Sequence, residues 1–221
     1  DYYKKDDLIA TITTDETGVA KLTDIPLGKY YVKEKETANG YVLDSTAREI
    51  DLTYRDQDTA EVTYSSDWQN NRQKAEVKVL KKEKDSDRVL EGAVFALCNK
   101  EDIVNANGDV ILKADTVIEE QATDKEGKLT FTADLPIGYT YYVKETSPAP
   151  GFATTDQVQE FTFEYDGADK ETLSYEFSFE DEPTVVEITK TSLTDGKELE
   201  GAKLEVTDED GKVVDSWTSG K

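Results

Sequence analysis

A lysine and two acids stand in phase with apolar strand residues. In residues 77–81, Val-Lys-Val-Leu-Lys, one face of a strand carries Val77, Val79 and Lys81. In residues 141–145, Tyr-Tyr-Val-Lys-Glu, it carries Tyr141, Val143 and Glu145. In residues 173–181 it carries Leu173, Tyr175, Phe177, Phe179 and Asp181. Side chains alternate along a strand, so a charge in phase with the apolar set is aimed at the core. Lys81, Glu145 and Asp181 are therefore candidates for one buried cluster. A medium of low polarity disfavours charge and drives an ammonium toward the amine and a carboxylate toward the acid. An amine held against a carboxylic acid can condense to an amide, a covalent crosslink between side chains. The plainer reading stays open: Lys81 is one of several lysines (78, 81, 82, 84), its amine reaching solvent at the strand end. In that reading Asp181 caps a turn before Pro183 and Glu145 is exposed. A register slip of one residue would put Glu180 in place of Asp181.

The elements that must position these groups are strands. Thr, Val, Tyr and Phe dominate the alternating runs at 60–64, 128–132 and 160–164. Asn-Gly-Asp at 107–109 and Glu-Asp-Gly at 209–211 predict hairpins. Residues 115–121 are the one mildly helical stretch, and Thr116 and Val117 weaken it. The chain also repeats itself. DETGVAKLTDIPLGKYYVKE at 15–34 parallels DKEGKLTFTADLPIGYTYYVKE at 124–145, and the following Asn-Gly-Tyr parallels Pro-Gly-Phe. Aligning Leu-Glu-Gly-Ala at 90–93 with the same tetrapeptide at 199–202 lays Lys81 on Lys190, Val79 on Ile188 and Val77 on Val186. The predicted organisation is thus 1–73, a module lacking its opening strands; 74–183, a complete module; and 184–221, the opening strands of a third. The junctions at 72–73 and 182–184 carry no Gly/Ser linker, which predicts modules stacked end to end with little bending.

Composition narrows the chemistry. The 221 residues carry a formal net charge of -23, which opposes nucleic acid and anionic membranes as partners. There is no His, which removes the commonest general base and most zinc sites. Cys98 is the single cysteine, so no disulfide can form within the chain, and without a base to activate it a structural thiol is expected. No metal or cofactor is expected. The acids of 102–115 and 208–211 do not follow the ligand spacing of an EF-hand, and hairpin chemistry explains them better. No apolar run reaches the roughly 18 residues a spanning helix needs. The chain contains no Met, which predicts a fragment of a longer precursor.

At this point a family resemblance enters. The ordered motifs are an opening strand ending in Lys with a later Leu-x-Gly-Ala, a Leu/Ile-Pro-x-Gly turn, a Tyr-Tyr-Val-Lys-Glu box followed by Asn/Pro-Gly-Tyr/Phe, and a closing strand ending near Pro. Together they resemble the B-type repeats of Gram-positive collagen adhesins and SpaA-type pilins. The resemblance implies an all-β fold of tandem prealbumin-like (Ig-like) β-sandwich modules. It also implies an isopeptide bond between a lysine on the first strand and an Asn or Asp on the last, assisted by a glutamate in the middle box. Carried onto this chain, the complete module offers Lys81, Asp181 and Glu145, with Asp in the place more often held by Asn. Residues 1–73 offer Glu34 and Asn70 without a lysine, and residues 184–221 offer Lys190 alone.

The expected function is a structural stalk of a cell-wall-anchored surface protein or pilin, extracellular, with neighbouring repeats as partners. A crosslink from Lys81 to Asp181 would enclose residues 82–180, a closure worth about 4–5 kcal/mol by analogy with disulfides. Self-crosslinking is a single event, so no enzyme in the turnover sense is expected. The alternative is an adhesin module that grips a host extracellular protein or glycan. Trp68 and most tyrosines fall in core phase, which counts against it, while Tyr2, Tyr3 and Trp217 are less constrained. A glycosidase-like carboxylate pair is a third reading without a distinctive motif.

Overall fold

The computed structural model describes residues 3–59 and 61–220, which form thirteen β-strands and no helix. Residues 3–73 contribute one hairpin, β1 (Gly28–Val32) with β2 (Arg48–Leu52). The next ten strands shown here belong mostly to the central module. They are β3 (Lys74–Glu83), β4 (Val94–Asn99), β5 (Ile103–Val104), β6 (Val110–Leu112), β7 (Val117–Ala122), β8 (Lys128–Phe131), β9 (Tyr139–Ser147), β10 (Val158–Phe163), β11 (Thr172–Asp181) and β12 (Lys203–Thr207). The last of these pairs with β13 (Val213–Thr218) in a C-terminal hairpin.

The central module is a two-layer sandwich. One sheet has the order β10-β9-β4-β7 and the other β11-β3-β8, with β5-β6 as a separate hairpin. Alternation decides which side chains face inward. On β3, Ala75, Val77, Val79 and Lys81 are buried while their neighbours are half-exposed. Phe95 and Leu97 from β4, Leu129 and Phe131 from β8, Tyr141 and Val143 from β9, Phe161 and Phe163 from β10, and Phe179 from β11 complete the core. Burying an aromatic such as Phe179 is worth about 1.5–3 kcal/mol. On the outer face of β4, Ala96 and Cys98 pack with Tyr142, and burial pushes the Cys98 thiol up, as suits a structural thiol. The first and last strands of the module, β3 and β11, are parallel neighbours, with Phe179 opposite Lys81. Parallel pairing needs a long crossover, and here the whole rest of the module supplies it.

Three expectations need correction. Residues 115–121 form most of β7 rather than a helix, because β7 adds an outer rung to β4. The run 60–64 forms no strand over its described residues, Ala60 lying outside them. Residues 61–70 correspond to β11, an edge strand whose one neighbour is β3. Nothing in residues 3–59 plays the part of β3, so this run has no ladder to join. The same reason applies to 186–190, the counterpart of β3: unpaired on both sides, it stays irregular and exposed. The hairpins expected at 107–109 and 209–211 both form, as β5-β6 and β12-β13.

Candidate functional site

Lys81, Glu145 and Asp181 meet at one end of the sandwich. Lys81 is the fourth inward residue of β3, Glu145 the third buried odd-numbered position of β9, and Asp181 the last residue of β11. Their side chains are fully withdrawn from solvent. Lys81 Nζ donates to Asp181 Oδ1 and lies 2.9 Å from Glu145 Oε1. Glu180, the alternative to Asp181, is exposed on the opposite face of β11.

The surroundings are dry and aromatic. The Phe95 ring centroid is 5.5 Å from Lys81 Nζ, and Phe95 packs against Phe179 at 4.9 Å between centroids. Glu145 Oε2 is held by two donors, the Thr155 backbone N–H at 3.0 Å and the Thr154 hydroxyl at 3.1 Å. Its other oxygen faces Lys81 at charge-contact distance but off hydrogen-bond alignment. Glu145 Oε1 and Asp181 Oδ2 are buried atoms without a hydrogen-bond partner among the described residues. Two carboxyls thus share one amine, and full ionisation would leave a buried excess of negative charge. Burial pushes the Asp181 carboxyl up, Lys81 pulls it back and the Glu145 charge raises it further. The backbone of Lys81 is fixed as well: its N–H donates to Gly127 O at 2.8 Å, and its carbonyl accepts from Leu90 N–H at 3.0 Å. Gly127 has φ +68°, and a Cβ there would come within 2.6 Å of the Lys81 carbonyl oxygen. Only glycine combines that conformation with that approach.

The incomplete sites repeat this geometry in parts. Glu34 Oε2 accepts from Asp44 N–H at 2.9 Å and from Asn70 Nδ2 at 2.5 Å, while Asn70 Nδ2 also donates to Val42 O at 2.9 Å. Glu34, Asp44 and Asn70 each precede Glu145, Thr155 and Asp181 by the same 111 residues. The bridges Tyr41–Arg72 and Phe152–Pro183 obey the same offset. Lys190 is exposed, yet its carbonyl accepts from Leu199 N–H at 2.9 Å, as Lys81 O does from Leu90. Lys81, Glu145 and Asp181 are therefore brought together, Glu34 and Asn70 are brought together, and Lys190 stands apart from both groups.

Thr154, Thr155, Phe95 and Gly127 escaped the sequence reading. The 111-residue offset would have pointed to Thr155 as the counterpart of Asp44. The acids of the two hairpins close turns: Asp208 Oδ1 accepts from Asp210 and Lys212 N–H, and Asp102 from Ala114 N–H and Lys113 Nζ. Core phase misjudged several aromatics. Trp68 is half-buried under Arg48, with the guanidinium carbon 4.1 Å from the ring centroid. Tyr31, Tyr54 and Tyr64, like Tyr3 and Trp217, are exposed, and Tyr2 lies outside the described residues. The close aromatic pairs among the described residues all lie in or against the central core.

This chain is similar to several proteins of known structure. The Bacillus anthracis TIE protein is 27% identical, with a TM-score of 0.57, over 95% of this chain and 36% of that one. This chain thus spans about a third of that protein's length. A streptococcal ancillary pilin is 22% identical with a TM-score of 0.37, over 95% of this chain and 65% of its own. The shaft pilin SpaA of Lactobacillus rhamnosus GG is 16% identical with a TM-score of 0.39, over 80% of this chain and 71% of its own. A search of curated proteins gives no match. The SpaA prealbumin-like fold domain matches residues 1–68 and again 75–176. With both stretches matched in tandem, the chain belongs to the SpaA prealbumin-like fold domain family.

Proposed function

We propose that this chain is part of the stalk of a bacterial surface protein or pilin, and that residues 74–183 lock themselves with an amide between Lys81 and Asp181. One observation carries the reading: three ionisable side chains from the first, middle and last strands of one core share a fully buried spot. The reaction joins an amine to a carboxylic acid, with a second carboxyl, that of Glu145, beside them. The Lys81 nitrogen attacks Asp181 Cγ, and the C–N bond forms as the C–O bond breaks. Glu145 accepts the amine's proton and returns one to the departing hydroxyl, so one water leaves and Glu145 ends as it began. Fixed, dry geometry takes the place of a separate catalyst. Each module reacts once.

Mechanics supports the same reading. Tension entering at the start of β3 would travel to Lys81, cross to Asp181 and leave through Glu182. Residues 82–180 would carry none of it. Such a path suits an extracellular protein pulled from both ends, with neighbouring repeats as its partners. Glu34 with Asn70 is the acceptor half of a second centre, from which ammonia would leave, and Lys190 is the donor half of a third.

The test is the intact mass of the denatured protein, wild type beside Glu145→Ala. The expected result is a deficit of one water in the wild type and none in the variant. A wild-type mass equal to the sequence would refute the crosslink.

A further inference from the structure

The sandwich core does not explain Gln73. It sits at the start of β3, between residues 3–72 and the central module, and is 1% exposed. Its side-chain amide is fully used. Nε2 donates to Gly167 O at 3.1 Å and to Lys170 O at 2.8 Å, and Oε1 accepts from Asp166 N–H at 3.0 Å. Its backbone N–H donates to Gly40 O at 2.9 Å, so one residue binds both modules. The same loop takes further contacts from the preceding module. Leu43 N–H donates to Ala168 O at 2.8 Å, Asn71 Nδ2 to Glu171 Oε1 at 3.3 Å, and Tyr165 Oη to Tyr41 O at 3.4 Å. Arg72 adds an ion pair with Asp134.

We propose that residues 165–171 are a socket for the closing segment of the preceding module, and that Gln73 is the latch that makes the joint rigid. The contacts are chiefly backbone groups and one planar amide, which fix direction as well as distance. Apolar contact alone would allow sliding. Residue 184 stands 111 positions later and tests the assignment internally. It is Thr, and its hydroxyl and backbone N–H both donate back to Gly151 O of the central module. The latch is thus a property of residue 73, not of the repeat in general. The proposal is independent of the amide crosslink.

The experiment is a distance measurement between spin labels at Lys29→Cys on β1 and Lys128→Cys on β8. Native Cys98 is buried and stays unlabelled. The expected result is one narrow distance peak in the otherwise unchanged protein, lost to a broad distribution in Gln73→Ala, with the melting of the central module retained. A second variant, Arg72→Ala with Tyr165→Phe, alters only the rim of the joint and decides the matter if Gln73→Ala does not fold. It should widen the peak. A broad distribution in the parent, or a peak unmoved in the folded variants, would overturn the proposal.

Discussion

Replacing Glu145 by Gln should isolate the contribution of the proposed crosslink. Gln preserves the volume and keeps an oxygen for the Thr155 N–H and Thr154 hydroxyl. It leaves Lys81 facing Asp181 alone, a one-to-one pair instead of two acids around one amine. The variant therefore loses the proton carrier without leaving an unpaired buried charge. Apart from its amide NH2 facing Lys81 Nζ, donor to donor, where Oε1 stood at 2.9 Å, its cost is the released loop of 82–180, with Lys81 and Asp181 100 positions apart. Closing a loop of that size is worth about 4.7 kcal/mol. A module of this size unfolds with an entropy of about 0.23 kcal/mol per kelvin, so the midpoint should fall by about 20 °C. The assay is thermal melting with intact mass on the same samples. The parent should lack one water and melt high, and Glu145→Gln should have full mass and melt low. A variant of full mass that melts within about 3 °C of a crosslinked parent would refute the reasoning, since the loop would then contribute almost nothing.

Other perturbations read different parts of the site. Pulled from both ends, the parent should show no release of residues 82–180, whereas Lys81→Met should add an unfolding step approaching about 350 Å of contour, at roughly 3.5 Å per residue. Gly127→Ala should destabilise the protein by about 1–3 kcal/mol through strain at positive φ, and should slow loss of water by displacing the Lys81 carbonyl; denaturant titration and timed mass spectra check both. Lys81→Met also removes the partner that lowers the Asp181 carboxyl, leaving burial and Glu145, which raise it. A raised folded-state acid contributes stability below its unfolded value, near 3.8, and loses it as pH rises through the folded value. Urea midpoints of this variant should therefore fall as pH rises above about 4, a slope that the proposed amide of the parent would lack at Asp181.

That Lys81, Glu145 and Asp181 enter one core was legible because a strand's period of two is unforgiving. Lys81 and Asp181 could not share a face with Val79 and Phe179 without entering the core. Glu34 and Asn70 lie outside the strands and were legible through the repeat alone, 111 residues before Glu145 and Asp181. Partnership was not legible. Residues 61–64 and 186–190 have strand composition, yet they stay irregular because the neighbours that would hydrogen-bond them are missing from the described residues. Residues 117–121 look ambiguous alone and become a strand because β4 offers an edge. Gln73 acts on backbone carbonyls distant in sequence and Thr155 through its own backbone N–H, and no side-chain pattern marks such bonds.

The parallel pairing of β3 with β11 also makes the module a unit of length. The chain enters at one end of the sandwich and leaves at the other, displaced by the span of a ten-residue strand, about 33 Å. An antiparallel closing strand would return the chain to its starting end, and added modules would cluster instead of advancing. With this topology, duplicating a module lengthens the molecule by a fixed step and leaves every existing core untouched. In the proposed stalk, reach would become a matter of copy number.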